Sequence, residues 1–193
     1  MANTNSPKGF KPVGKVGSEA YNGGLSPLPI ASGYNTAIYA GDAVTRISTG
    51  YINKAGAGDT IIGIAAGVEW VGSDGVPRKQ NHWPASTATL GSQDATIFVQ
   101  ADPMLEVEAR FTNATTVPTT ALIGEVFNLV DAGGSAATGI SGEGIDISAT
   151  GSTSAKTFRF VRFAPRADND TASAYSVGVF QIALHQNNSL TGV

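Results

Sequence analysis

Nowhere do the apolar residues of this chain keep a helical spacing for ten residues. They come in short runs rich in β-branched and aromatic residues, parted by turns drawn from 24 glycines. A chain patterned in this way buries its apolar faces by pairing short strands, which predicts an all-β fold, either a β-barrel or a β-sandwich. Residues 105–111 show the pattern most cleanly, with Leu105, Val107, Ala109 and Phe111 on one face and Glu106, Glu108 and Arg110 on the other. Residues 175–185 alternate again, with Phe180, Ile182 and Leu184 in phase. Residues 95–101 are apolar on both faces and are expected between layers. In residues 156–163 the phase slips between Phe160 and Val161, which predicts a bulge or burial on both faces. Gly63 and Gly67 predict bends or bulges within 60–71. With 35–47, broken at Gly41-Asp42, and 125–130, the total is about eight strands. No fixed-period repeat points to a solenoid or propeller.

Residues 1–33 read differently. They hold Pro7, Pro12, Pro27 and Pro29 and show no period of strand or helix. Proline fixes φ and removes a donor, which biases such a segment toward extended backbone. Phe10, Val13, Val16, Tyr21, Leu25, Leu28 and Ile30 nevertheless recur through it, and a purely solvated tail needs no such anchors. The expected organisation is an extended arm over 1–33 that lies on a partner, followed by a β-barrel or sandwich domain over 34–193. The arm's candidate contact residues are Lys8, Phe10, Lys11, Pro12, Val13, Lys15, Tyr21 and Leu25.

The chemistry-bearing residues are sparse. Without cysteine there is no disulfide, thiolate nucleophile or Cys-based zinc site. Of two histidines, His185 ends a strand and His82 lies in a loop, and neither has a second ligand at metal spacing. A net charge of −3 gives no footprint for nucleic acid. No apolar run is long enough to span a membrane, and the first residues carry no apolar core of a secretory signal. Gly139-Ile140-Ser141-Gly142 is no nucleophile elbow. Asp168-Asn169-Asp170 opens like a calcium loop but lacks its glycine and its last glutamate, so a turn is expected. Glu106 and Glu108 sit about 7 Å apart along a strand, a spacing a glycosidase could use, yet no aromatic residues interleave with them. No catalytic residue, metal or cofactor is expected, and the chain reads as a structural or binding protein rather than an enzyme. The loop 70–84 concentrates Trp70, Arg78, Lys79, His82 and Trp83, residue types that anchor interfaces, and is the second candidate contact region. The other reading of its indoles is that they cap the ends of the β core.

Several short pieces, taken in order, carry a resemblance. They are the opening MANTNSPKGFKPV, Tyr21-Asn22-Gly23-Gly24, Tyr39-Ala40-Gly41-Asp42-Ala43-Val44 and Ile62-Gly63-Ile64-Ala65-Ala66-Gly67. Phe98-Val99-Gln100-Ala101-Asp102-Pro103, Phe158-Arg159-Phe160-Val161-Arg162-Phe163 and Arg166-Ala167-Asp168-Asn169 follow, then a tail from His185-Gln186-Asn187-Asn188 to Thr191-Gly192-Val193. In these pieces the chain resembles the head cement, or capsid decoration, proteins of tailed bacteriophages. The resemblance implies a virion protein made in the host cytoplasm that sits on the outer surface of the icosahedral head. There it would bind the major capsid protein and tie neighbouring subunits together, as a homo-oligomer in which a trimer is favoured over a dimer. Charged residues at only 14% suit such packing against other subunits. A carbohydrate-binding β-sandwich, with Trp70 and Trp83 stacked on sugar rings, and a tail or fibre component of the virion are the alternatives.

Overall fold

The computed structural model describes residues 3–17, 20–112, 115–148 and 156–188. The expected pieces at Met1, Ala2 and 191–193, and part of the glycine-rich stretch 133–151, lie outside the described residues. The chain is all-β and sandwich-like, without a closed barrel. Its strands are β1 (Lys11–Lys15), β2 (Ser26–Ile30), β3 (Ile38–Tyr39), β4 (Ala43–Arg46), β5 (Ile52–Lys54), β6 (Gly63–Val71), β7 (Pro77–Gln80), β8 (His82–Trp83), β9 (Ala95–Gln100), β10 (Leu105–Arg110), β11 (Val126–Val130), β12 (Gly144–Asp146), β13 (Phe158–Phe163) and β14 (Val177–Ile182). That exceeds the expected number, because pieces of two to five residues such as β3, β7 and β8 are too short to show an alternation.

The first sheet runs β1-β10-β14-β13-β11-β12 and the second β2-β9-β6-β4-β5, with β7 on the far half of β6. A ribbon of β3 and β8 forms a small third layer. Every strand pair within these sheets is antiparallel. An isolated parallel bridge, Phe111 to Ile145, draws the β12 end of the first sheet back toward β10.

Part of the second sheet is packed on both faces, which gives the molecule two cores. Between the two large sheets, Phe10, Phe111, Phe127, Phe158, Phe160 and Phe180 pack with Ile64, Leu105, Val107 and Ile145. Phe111 meets Phe127, Phe160 and Phe180 edge to face at 5.2–5.8 Å. On the other face of the second sheet, Ile30, Ile38, Val44, Ile52, Val68, Trp70, Trp83, Ile97 and Val99 form the second core.

Two bulges set which residues face these cores. The β6–β9 register shifts between Ala65 and Gly67, so Ala65, Val68 and Trp70 all reach the second core despite their uneven spacing. The β13–β14 register shifts between Phe160 and Arg162. Phe158, Phe160 and Phe163 therefore point inward, while Arg162 turns out. The bulge expected at Val161 is thus present, and the one expected near Gly67 falls on Ala66. Strand β9 corrects the sequence reading. Ala95, Ile97 and Val99 are buried, but Thr96, Phe98 and Gln100 are only half-buried, so the strand is not apolar-packed on both faces.

The largest correction concerns residues 1–33. The described part of that segment is not a separate arm before a domain starting at 34. Strand β1 pairs with β10 at the edge of the first sheet, and β2 pairs with β9 at the edge of the second. Phe10 and Ile30 are fully buried, one in each core. The prolines hid these strands. Pro12, Pro27 and Pro29 lie on edge strands, where a missing N–H costs little. They also blunt both edges against further pairing.

Candidate functional site

The N-terminal segment is held by a tight seat. Gly9 adopts φ +70°, and a Cβ there would lie 2.6 Å from Ser141 Cβ and 2.7 Å from the Gly41 carbonyl oxygen. Only glycine fits this approach without strain. The Gly9 amide donates to the Glu143 carbonyl at 3.1 Å and the Phe10 amide to the Gly41 carbonyl at 2.8 Å. The Phe10 ring then stacks on Phe158 at 4.3 Å. Further along, Lys15 Nζ pairs with Asp102 at 2.6 Å, a hydrogen bond that holds the Asp102 carboxyl below the ordinary range.

Beneath this seat lies a buried ionic cluster that sequence reasoning missed. Asp42 and Glu143 are both 0% exposed. Asp42 Oδ2 accepts from the Tyr39 amide at 2.8 Å, and Glu143 Oε2 from the Ala43 amide at 2.9 Å. Lys54 Nζ reaches Asp131 at 2.8 Å, the Ala132 carbonyl at 2.9 Å and Glu143 Oε1 at 3.4 Å. Asp42 lies 3.9 Å from the same ammonium. Burial pushes the Glu143 carboxyl well up, and the Asp42 charge adds to the rise. Burial also raises Asp42, against the pull of the Ser141 hydroxyl, the Tyr39 amide and Lys54. For Lys54, burial lowers the pKa but is outweighed by the Asp131 hydrogen bond and the surrounding carboxylates, so the net shift is upward. The cluster ties β4 and β5 of the second sheet to the ends of β11 and β12 in the first. One trace of it was visible in the sequence: Glu143 is an acid set between Gly142 and Gly144.

A cleft of about 620 Å³ opens beside the seat, lined among others by Lys8, Lys11, Pro12, Ala40, Gly41, Ala65, Ala66, Gln100, Arg110, Ile140, Arg166 and Asp168. Lys8 and Lys11 are exposed at its rim. Phe10 lines it too but belongs to the core, and Pro12 and Val13 are half-buried. The other candidate contact residues lie elsewhere. Tyr21 packs partly against the first core, and Leu25, 47% exposed, lies with Tyr21 and Lys15 at a second hollow of about 440 Å³.

The paired glutamates of β10 are committed to arginines. Arg162 grips Glu106 with two bonds of 3.0 and 2.8 Å, and Arg166 reaches Glu108 at 3.4 Å. Glu106 is buried under this contact rather than solvated. Asn169 spans the connection before β14 by bonding the Ala164 and Val177 carbonyls and the Val177 amide, which fits the expected turn. His185 is buried, accepts from the Asn187 amide, and has its pKa lowered by that burial.

The 70–84 segment is not a loop but the end of β6, then β7 and β8 around a turn, and it does not present its tryptophans. Trp83 is 0% exposed and Trp70 6%, and the two indoles meet edge to face at 5.7 Å in the second core. Trp83 Nε1 donates to the Tyr34 carbonyl at 3.0 Å. The structure therefore corrects their assignment as interface residues, since the strand that carries each indole turns it inward. His82 stacks on Tyr39. Arg78 is paired with Asp74 across the turn, and this hydrogen bond pulls the Asp74 carboxyl down to about 2. Lys79 lies over the Phe98 ring and at 4.0 Å from Glu69.

Among the described residues, no group of His, Cys, Asp and Glu is placed to hold a metal ion. Compared with protein-family models, curated proteins and solved structures, the chain finds no match in any of the three.

Proposed function

We propose that this chain is a structural protein of a tailed-phage virion, seated on the outer face of the icosahedral head, where it cements neighbouring major capsid subunits as a homo-oligomer. The observation that carries the reading is convergence. Five of the eight short pieces that resemble head cement proteins, far apart in sequence, line one cleft through Lys8 to Pro12, Ala40 and Gly41, Ala65 and Ala66, Gln100, and Arg166 and Asp168. Pieces that merely filled a β core would have no reason to share a surface. A catalytic role has less to build on, because each glutamate of the one suggestive pair is engaged by its own arginine. The carbohydrate-binding alternative rested on exposed indoles, and both are enclosed.

The test is the copy number of this chain in purified particles, together with re-binding of the purified protein to expanded heads that lack it. Hundreds of copies per particle and saturable co-sedimentation with empty heads are expected. A handful of copies, located at the tail, would overturn the reading in favour of a tail or fibre component.

A further inference from the structure

The cleft beside the N-terminal seat differs in charge from the chain as a whole. The protein is acidic, with a net charge of −3. The cleft, by contrast, is lined by the cations of Lys8, Lys11, Arg110 and Arg166 and by only two carboxylates, Glu108 and Asp168. Both of those carboxylates are engaged by Arg166, at 3.4 and 2.9 Å. Arg110 is half-buried and bonds the Tyr175 carbonyl rather than a carboxylate. Burial, and then the nearby Arg166 charge, make its own charge costlier to hold. Lys8 and Lys11 have no ion pair with any described carboxylate. The floor is apolar, with half-buried Ala66 and with Ile140, which is 41% exposed.

We infer that this cleft is a binding site for an extended, acidic segment of a partner protein, whose carboxylates meet Lys8, Lys11 and Arg110 while its alternate, apolar side chains lie on Ala66 and Ile140. The inference rests on the proposed function and names the chemistry of the partner segment. Extended backbone with a period of two presents charge to the rim and apolar side chains to the floor. Arg110 is half-buried and its side-chain bond goes to a carbonyl, with Asp168 acting on it only through its charge, so an incoming carboxylate gains a charge-assisted hydrogen bond there. A nucleic acid or a polyanionic glycan would meet the same cations but would gain nothing from the floor.

The probe is a short fluorescent peptide of alternating glutamate and valine, titrated into the full chain and followed by anisotropy. A glutamate–serine peptide and heparin serve as competitors. The glutamate–valine peptide is expected to bind more tightly than the glutamate–serine one, with an affinity that falls steeply as salt is raised. Replacing Lys8→Gln and Lys11→Gln together should weaken it roughly tenfold or more. Equal affinity for both peptides, or tighter binding of heparin, would assign the cleft to a polyanion and overturn the inference. So would binding indifferent to the double replacement. Binding of both proteins to expanded heads separates the two levels. If wild type and the double variant bind heads equally well, the inference fails and the cement reading stands. If wild type does not bind heads at all, the cement reading itself fails.

Discussion

Two regions of this chain look like contact surfaces in the sequence, the proline-bearing N-terminal segment and the tryptophan-bearing 70–84 segment before β9, and the fold treats them in opposite ways. Both send aromatic residues into a core. The 70–84 region buries both indoles and leaves its cations to nearby acids, Arg78 to Asp74 in its own turn and Lys79 to Glu69 on β6. The N-terminal segment buries Phe10 and Ile30, one in each core, and keeps Lys8 and Lys11 exposed beside a cleft. Residue types that anchor interfaces therefore do not mark an interface by themselves. What remains exposed and unpaired after folding does.

The comparison breaks first on the aromatic anchors. Trp83→Ala and Phe10→Ala should each cost about 3–5 kcal/mol of stability, the range for truncating a fully buried aromatic. Trp83 also surrenders its bond to the Tyr34 carbonyl. Chemical denaturation of each variant checks this. A Trp83→Ala protein with an unchanged midpoint but impaired assembly would return the 70–84 segment to the list of interfaces. Gly9→Ala comes next. The added methyl meets Ser141 and Gly41 at 2.6–2.7 Å in a left-handed backbone, for a cost of roughly 1–3 kcal/mol. The loss should be felt at the seat, as faster amide exchange at Phe10 and in β1 than in β14.

The all-β class and strands β10 and β14 were legible because alternation over six residues leaves a clear period, whereas β9 was read only as an apolar run and its facing was misjudged. The bulge at Val161 was legible for the same reason: Phe160 and Val161 break a phase that their neighbours establish. Strands β1 and β2 were not, because their signal is proline at positions where an edge strand needs no donor, and proline read alone argues against a strand. The fates of Trp70 and Trp83 depended on which way a bulged strand and a two-residue strand turn them, which no local pattern carries. The Asp42–Lys54–Glu143 cluster is long-range by construction, since its acids lie about a hundred positions apart in the chain and meet only where the two sheets are joined.

That cluster supplies the next effect. Glu143 and Asp42 have carboxyl pKa values raised in the folded chain. The native state therefore holds these protons more tightly than the unfolded one. The stability from them is complete below the ordinary carboxyl range and is lost as pH rises toward the raised folded values. Lys54, raised as well, loses its contribution only as pH climbs past the ordinary lysine range. Glu143→Gln keeps an oxygen for the Ala43 amide and removes the titration. It should leave stability in mild acid within about 1 kcal/mol of wild type and flatten the decline that sets in as pH rises above the ordinary carboxyl range. Denaturation midpoints through that rise check it, and a decline as steep as wild type's would show that Glu143 titrates normally. The seat depends on the Glu143 carbonyl, so the same variant also reports whether the cluster's charge reaches the N-terminal segment.

The smallest effect is expected where the cations of the 70–84 segment are removed. Arg78 is bound to Asp74 four residues away in its own turn, and Lys79 has a side chain 75% exposed. Exposed pairs of this kind contribute little, because water and salt screen them and long side chains lose freedom on pairing. Arg78→Gln together with Lys79→Gln removes as much positive charge as Lys8→Gln together with Lys11→Gln, so the two double variants have the same net charge. Any effect of overall charge on head binding must then be equal in the two. The 70–84 variant is expected to bind heads and to melt like wild type, whereas the N-terminal variant loses binding. A matched loss in both would show that the head responds to net charge alone, and the distinction between the two regions would fall with it.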